Sequence, residues 1–198
     1  MRETSKCYQA RLQRGDFEKY LKGDGIDIGA GPDPLRVQTG SVRAWDVQDG
    51  DAQKMPGVPD NSYDFVYSSH CLEHMRDLPE ALSNWVRILK PGGWLYVAIP
   101  DYILYEKMTW PSRFNADHKQ SFSNVITRSA VMRPNHWHVD QDLIPLLKGL
   151  GLEEIQWAVE FRGFNFNAGY MDQTLFDAVA QIYFVGRKRP VVTSATSG

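Results

Sequence analysis

Two cysteines in 198 residues, Cys7 and Cys71, are too few for a disulfide framework, and the compartment they leave expected is a reducing one, the cytoplasm. Charge of one sign is missing as well: a net charge of −2 offers no electrostatic footprint for nucleic acid or an anionic membrane. No apolar run is long enough to span a bilayer, and the opening MRETSKCYQARLQRGD is too polar for a signal peptide. Internal repeats are absent. What is present, 42% hydrophobic and 23% charged residues, is ordinary for a globular chain of this length with one proper core. One domain is expected over residues 1–190, followed by a flexible tail at 191–198.

Apolar runs alternate with a helical pattern. Residues 8–21 read as a helix, closed by the breaker GDG at 23–25. Short buried strands are expected at 26–30, 42–47 and 63–68. The clearest helix covers 78–90, where Leu82, Trp85, Val86 and Leu89 share one face, Pro79 suits the first turn and KPGG at 90–93 ends it. A near-continuous apolar strand follows at 94–99. A helix capped by Asp142 is expected to run to 150, and strands at 154–161 and 180–186 complete the pattern. Strands alternating with helices predict an α/β, doubly wound, mostly parallel sheet.

Residues 101–139 break that rhythm. They show no sustained period, yet carry Tyr102, Tyr105, Trp110, Phe114, Phe122 and Trp137. Structureless connections beyond about 12–15 residues usually serve function. This one follows a strand, at the carboxyl edge where α/β sheets bind ligands, so an irregular lid is expected. The alternative is a subdomain that only patches the core.

GIDIGAGPDPL at 25–35 is a strand running into a glycine-rich turn. A nicotinamide enzyme would need a third glycine opening a helix toward a pyrophosphate, and Pro34 stands there with Asp33 beside it. Further along come WDVQDGDAQKMPGVPDNSYDFVYSSHCLEH and RILKPGGWLYVAIP. The order D-I-G-A-G, an acid ending the next strand, D-A-Q-x-M-P, D-N-S-Y-D-F-V, L-E-H and L-K-P-G-G over about residues 25–100 resembles the class I S-adenosylmethionine-dependent methyltransferases, nearest their small "type 11" branch.

That resemblance implies a Rossmann-like fold closed by an antiparallel C-terminal strand, QIYFVGRK, and S-adenosyl-L-methionine as cofactor. It implies that Asp27 and the turn Gly29, Ala30 and Gly31 hold the methionine end, and that Asp46 accepts hydrogen bonds from the ribose hydroxyls. Asp51 and Ala52 would meet adenine, and Ser69 and His70 would lie beneath the methionine and the transferred methyl. One departure stands out. The family places a helix and a strand between the ribose acid and the D-A pair, where only VQDG separates Asp46 from Asp51. Either that unit is deleted or the ribose acid is another residue.

SSHCLEH at 68–74 then has three readings. The first is a structural helix start, with Glu73 complementing the helix dipole. The second is general-base catalysis on a hydroxyl acceptor by His70, His118 or His136. The third is a metal: His70-x-x-Glu73-His74 resembles the E-x-x-E-H of small-RNA 3′-end 2′-O-methyltransferases and ubiquinone-pathway O-methyltransferases, and His118 sits in a D-H-K stretch like that of the RNA group. Histidine in place of the first carboxylate suits magnesium poorly, and no metal is assigned on sequence, His70, Glu73, His74 and His118 being the set one would need. His136 and His138 alternate and, if extended, share a face.

The activity expected is O-methylation of a small polar acceptor such as a sugar or glycan end, a preference that follows the histidine-rich lid and the likeness of WPSRFNADHKQSFS to bacterial methyltransferases of that kind. No nucleic acid or membrane partner is expected. A non-catalytic cofactor-binding or regulatory protein and a nicotinamide-dependent oxidoreductase are the competing classes.

Overall fold

The computed structural model describes residues 3–124 and 133–191. The expected tail from residue 192 and part of the expected lid, residues 125–132, lie outside them. The main sheet contains β1 (Gly23–Ile28), β2 (Gly40–Trp45), β3 (Tyr63–Ser69), β4 (Leu89–Pro100), β7 (Leu152–Glu160) and β8 (Gln181–Lys188), in the spatial order β2-β1-β3-β4-β8-β7. The first four strands run parallel, and β8 is antiparallel to both β4 and β7. Ile28 pairs with Trp45 on one side and with Ser68 on the other, so β1, β2 and β3 finish level. Whatever follows them emerges at one edge.

Helices cover both faces. On one, α1 (Glu3–Lys6), α2 (Tyr8–Arg14) and α3 (Asp16–Lys19) bring Phe17, Tyr20 and Leu21 against Phe65, Tyr67 and Tyr96. On the other, α4 (Leu78–Ile88) and α5 (Ile144–Gly149) pack Leu82, Trp85 and Leu147 into the larger core with Ile26, Val66 and Val97. Asp77 caps α4, its carboxylate accepting from the Glu80 N–H at 2.9 Å.

Three expected helices change length for identifiable reasons. The helix expected over 8–21 is two, because Gly15 adopts a left-handed conformation (φ 73°) that terminates α2. The helix over 78–90 stops at Ile88, where Leu89 turns extended (ψ 137°) to start β4. Its last carbonyls find Lys188, whose Nζ donates to Val86 O at 2.9 Å and Leu89 O at 2.7 Å. Asp142 does not cap a helix from its own position. It lies inside a wide turn, Val139–Leu143, and its carboxylate accepts from the His138 N–H at 3.0 Å. Pro145 has no N–H to give to a preceding carbonyl, so regular α-structure begins only at Ile144.

Residues 101–124 and 133–139 are more ordered than their pattern suggested. Asp101 bridges to Phe122, and β5 (Ser121–Ser123) pairs in parallel with β6 (His136–His138). Tyr102, Leu104, Tyr105 and Phe122 are buried and anchor the segment over the carboxyl edge of β4.

Candidate functional site

The level ends of β1, β2 and β3 open onto a cleft of about 840 Å³. Gly29, Asp46, Asp51, Ala52 and His70 line it, so four separate stretches of the sequence reading converge there. Asp46 follows β2 directly, its Oδ1 accepting from the Val47 N–H at 2.8 Å and its N–H donating to Asp49 at 2.9 Å. A second turn, closed by Met55 N–H to Asp51 O at 2.8 Å, presents Asp51 and Ala52. Among the described residues no helix or strand separates the two acids, and β2 is the outer strand of the sheet. The short loop between them brings both acids to one cleft.

A smaller cavity of about 120 Å³ adjoins the cleft through Gly29 and His70, which line both. Ala30, Gly31, Ser69 and Thr4 also line it. Gly29 (φ 79°) could carry no side chain, since a Cβ would fall 2.5 Å from Cys71 Cβ. After Gly31 the chain stays irregular to Thr39, so among the described residues no helix N-terminus follows the turn. Asp33 instead accepts from the Ser5 N–H at 2.8 Å, fixing the N-terminal segment over the turn. Asp27 lines neither cavity. It is buried beneath the turn and accepts from the Leu35 N–H at 2.7 Å, which folds the loop back onto β1.

The histidines separate into two groups. His70 (φ 55°) follows β3 directly, with Nε2 2.9 Å from Gln181 Oε1 and Nδ1 3.5 Å from Glu73 Oε1. His74 and His118 face each other edge to face, ring centres 5.0 Å apart, beside the fully buried Glu73. His136 is elsewhere. Its ring nitrogens meet Ser121 Oγ at 2.7 Å and Ser123 Oγ at 3.0 Å, and it lines neither cavity. Burial, with the Arg133 charge beside it, pushes His136 down to about 4, so it is neutral at neutral pH. His136 and His138 do share a face, their rings 5.0 Å apart.

Residues 15–97 match the family described as "Methyltransferase domain". The chain is 30% identical over 131 residues, 60% of its own length and 46% of the relative's, to the ubiquinone/menaquinone biosynthesis C-methyltransferase of Bordetella avium. It is 30% identical over 87 residues, 40% of its length and 29% of the relative's, to the ajmaline N-methyltransferase of Rauvolfia serpentina. The fold matches the crystal structure of an S-adenosylmethionine-dependent methyltransferase from Archaeoglobus fulgidus with a TM-score of 0.58, at 15% identity, covering 95% of each chain. Over residues 15–97 the chain matches a methyltransferase domain, and its fold is that of a solved S-adenosylmethionine-dependent methyltransferase. It spans less than half the length of these two curated relatives.

The residues of this methyltransferase domain fit the cofactor its family uses. Apart from its own chain neighbours, no atom lies within 4 Å of where a Cβ on Gly31 would stand, so the small cavity beside Ser69 is open space at the turn. The larger cleft beyond Gly29 is lined by two acids, Asp46 and Asp51, whose carboxylates can accept hydrogen bonds from a polar ligand. Sequence reading missed four residues of the candidate site. Cys71 packs under Gly29, Gln181 holds His70, Asp117 holds His74 (Nδ1 to Oδ2, 2.7 Å) and buried Glu106 holds His118 (Nδ1 to Oε1, 2.6 Å). Asp117 was readable beside His118 in NADHK; the others depend on contacts no local pattern displays.

Asp27 gives the domain a pH signature. Burial pushes its carboxyl up to about 7, against the pull of the Leu35 N–H and the Arg11 charge. In the unfolded chain an aspartate titrates near ~3.9. Between these values the folded state keeps a proton that the unfolded state has lost. The contribution of Asp27 to stability is therefore complete below about pH 4 and lost as pH rises through about 7. Asp101, raised by burial to about 6, slopes the same way. Asp27→Asn keeps the acceptor for Leu35 and cannot ionise. Melting temperatures measured from about pH 5 to 8 should fall more steeply for the wild type than for the variant; parallel curves would remove Asp27 from the account.

Proposed function

We propose that this domain transfers a methyl group from S-adenosylmethionine to a small polar acceptor, with an oxygen acceptor, a sugar or glycan end, as the working assignment. The observation that carries the reading is the convergence of Gly29, Asp46, Asp51, Ala52 and His70 on one cleft at the carboxyl edge of the sheet, with the smaller cavity at Gly31 and Ser69 beside it. When bound, the cofactor supplies an activated methyl group on sulfonium and leaves as a neutral thioether. The chain's part is to bind, align and exclude water. Asp46 accepts from the ribose hydroxyls, the loop of Asp51 and Ala52 borders the adenine, and the Gly29–Gly31 turn with Ser69 encloses the methionine end. His70, which borders both cavities, faces the reacting centre and is the group assigned to receive the proton of a hydroxyl acceptor. The remaining wall, with His74, Arg76, Asp117 and Lys119, is charged and polar, which favours a polar acceptor.

The relatives' names, an N- and a C-methyltransferase, keep nitrogen and carbon acceptors as the second reading. A nicotinamide cofactor is disfavoured by the lack of a helix start after the glycine turn.

The test is calorimetric titration with S-adenosylhomocysteine, followed by labelled-methyl transfer to panels of sugars, amines and carbon acids. Micromolar binding is expected. Asp46→Ala should weaken it about 10–100-fold, the loss of hydrogen bonds to a charged group worth ~1.5–3 kcal/mol. No binding to the wild type would sink the enzyme reading. Binding without transfer to any panel would favour a cofactor-sensing protein.

A further inference from the structure

Cofactor binding does not account for the carboxylate of Glu73. It is fully buried, and neither oxygen has a hydrogen-bond partner among the described residues, a costly state for a charged group. Nitrogens surround it without hydrogen-bonding geometry: His70 Nδ1 stands 3.5 Å and His118 Nε2 3.8 Å from Oε1. Nor are His74 and His118 turned to it by their Nδ1 atoms, which are already taken by Asp117 at 2.7 Å and Glu106 at 2.6 Å. A ring that donates its Nδ1–H to a carboxylate keeps the Nε2 lone pair, and this is how proteins aim histidines at a metal. One ligand atom from each of Glu73, His74 and His118 lies within 4.8 Å of the others. Small side-chain movements would bring them to the ~3.4 Å that bonds of about 2.1 Å require in a tetrahedral site.

We propose that Glu73, His74 and His118 form a binding site for a divalent transition-metal ion of the zinc class, on the acceptor side of the cleft. Two imidazoles and one carboxylate suit zinc or cobalt, whereas magnesium and calcium take oxygen ligands. His70 is outside the set: its Nε2 is directed to Gln181, and although its Nδ1 stands 3.5 Å from Glu73 Oε1, it does not share the cluster formed by Glu73, His74 and His118. The Glu73 carbonyl already receives the N–H groups of Lys119 at 2.8 Å and Gln120 at 3.0 Å, which holds His118 in place across 45 residues of sequence. An ion here cross-links the 101–139 segment to the turn after β3, and His74, which lines the cleft, brings the site to where the acceptor enters. Glu106, buried and bonded to His118, is the positioning residue.

The experiment is titration of the chelator-treated protein with Co²⁺, followed in the visible spectrum, and then with Zn²⁺ as competitor. Expected are one equivalent of Co²⁺ with the intense absorption of a four- or five-coordinate ion, and its displacement by one equivalent of Zn²⁺. Glu106→Gln should weaken binding about 10–100-fold. Glu73→Gln should abolish the spectrum, and His118→Ala serves in its place if that variant does not fold. A wild type that takes up no stoichiometric ion, or gives only the weak absorption of a six-coordinate surface ion, overturns the proposal, as does unchanged binding in either ligand variant. The readout is metal binding, so the result stands whether or not methyl transfer is observed.

Discussion

Trp85→Ala is expected to cost about 3–5 kcal/mol of folding stability, the range for emptying a fully buried large aromatic site. Total stabilities of single domains are ~5–15 kcal/mol, so this variant should be near the threshold of folding. Trp85 is completely buried in the larger core, and its indole N–H donates to the Ala52 carbonyl at 2.8 Å. One residue earlier, Asn84 Nδ2 donates to the Gln53 carbonyl at 3.0 Å. Two side chains of α4 thus hold the loop that borders the cleft. Trp85→Phe separates packing from tethering. It keeps much of the ring volume, gives up one hydrogen bond worth about 1 kcal/mol, and should bind S-adenosylhomocysteine more weakly than its modest stability loss would suggest. Chemical denaturation of the three proteins, with a titration of each folded one, is the check. A Trp85→Phe protein that binds at wild-type affinity would show that the loop keeps its place without the tether.

Gly29→Ala should weaken S-adenosylhomocysteine by about 100-fold, ~2.7 kcal/mol. Two costs combine at this position. A φ of 79° is the left-handed region that only glycine adopts freely, and the new Cβ would fall 2.5 Å from Cys71 Cβ and 2.6 Å from its Sγ. Cys71 cannot simply rotate away, because its own β-carbon is part of the clash. The strain passes to the His70–Cys71 link, where His70 already holds φ 55° and borders both cavities. Adding Cys71→Gly removes the steric part and leaves the backbone part, so the double variant should recover some of the affinity but not all. Wild-type affinity in Gly29→Ala, or no recovery in the double variant, would refute this account of the turn.

The elements that local patterning could disclose were the ones built on burial and breakers. The α4 stripe of Leu82, Trp85 and Val86, the runs of β3 and β4, and the glycine turn all followed from spacing alone, and the ordered motifs added the fold. What escaped had non-local causes. Gly15 divides an otherwise plausible helix because its φ is positive, which composition permits but does not require. Residues 101–124 and 133–139 have no period because their order comes from single contacts, such as Asp101 with Phe122 and the three-residue pairing of β5 with β6. At the site, spacing could suggest His70, Glu73 and His74 together, yet His70 turns to Gln181, 111 residues away. The partner that gives His118 its orientation, Glu106, is an acid in an aperiodic stretch and is invisible to any motif.

The order of the strands has a consequence for synthesis. β8 lies between β4 and β7 and is the neighbour through which β7 joins the sheet. Lys188, at its end, supplies the cation that gathers the last carbonyls of α4 across about a hundred residues (separations of 102 and 99). A nascent chain that has reached residue 180 therefore holds β2, β1, β3 and β4 with a bare edge, and β7 with nothing to pair to. The strand that closes the gap leaves the ribosome after all the strands it joins, so the six strands become one continuous sheet only once β8 has been translated.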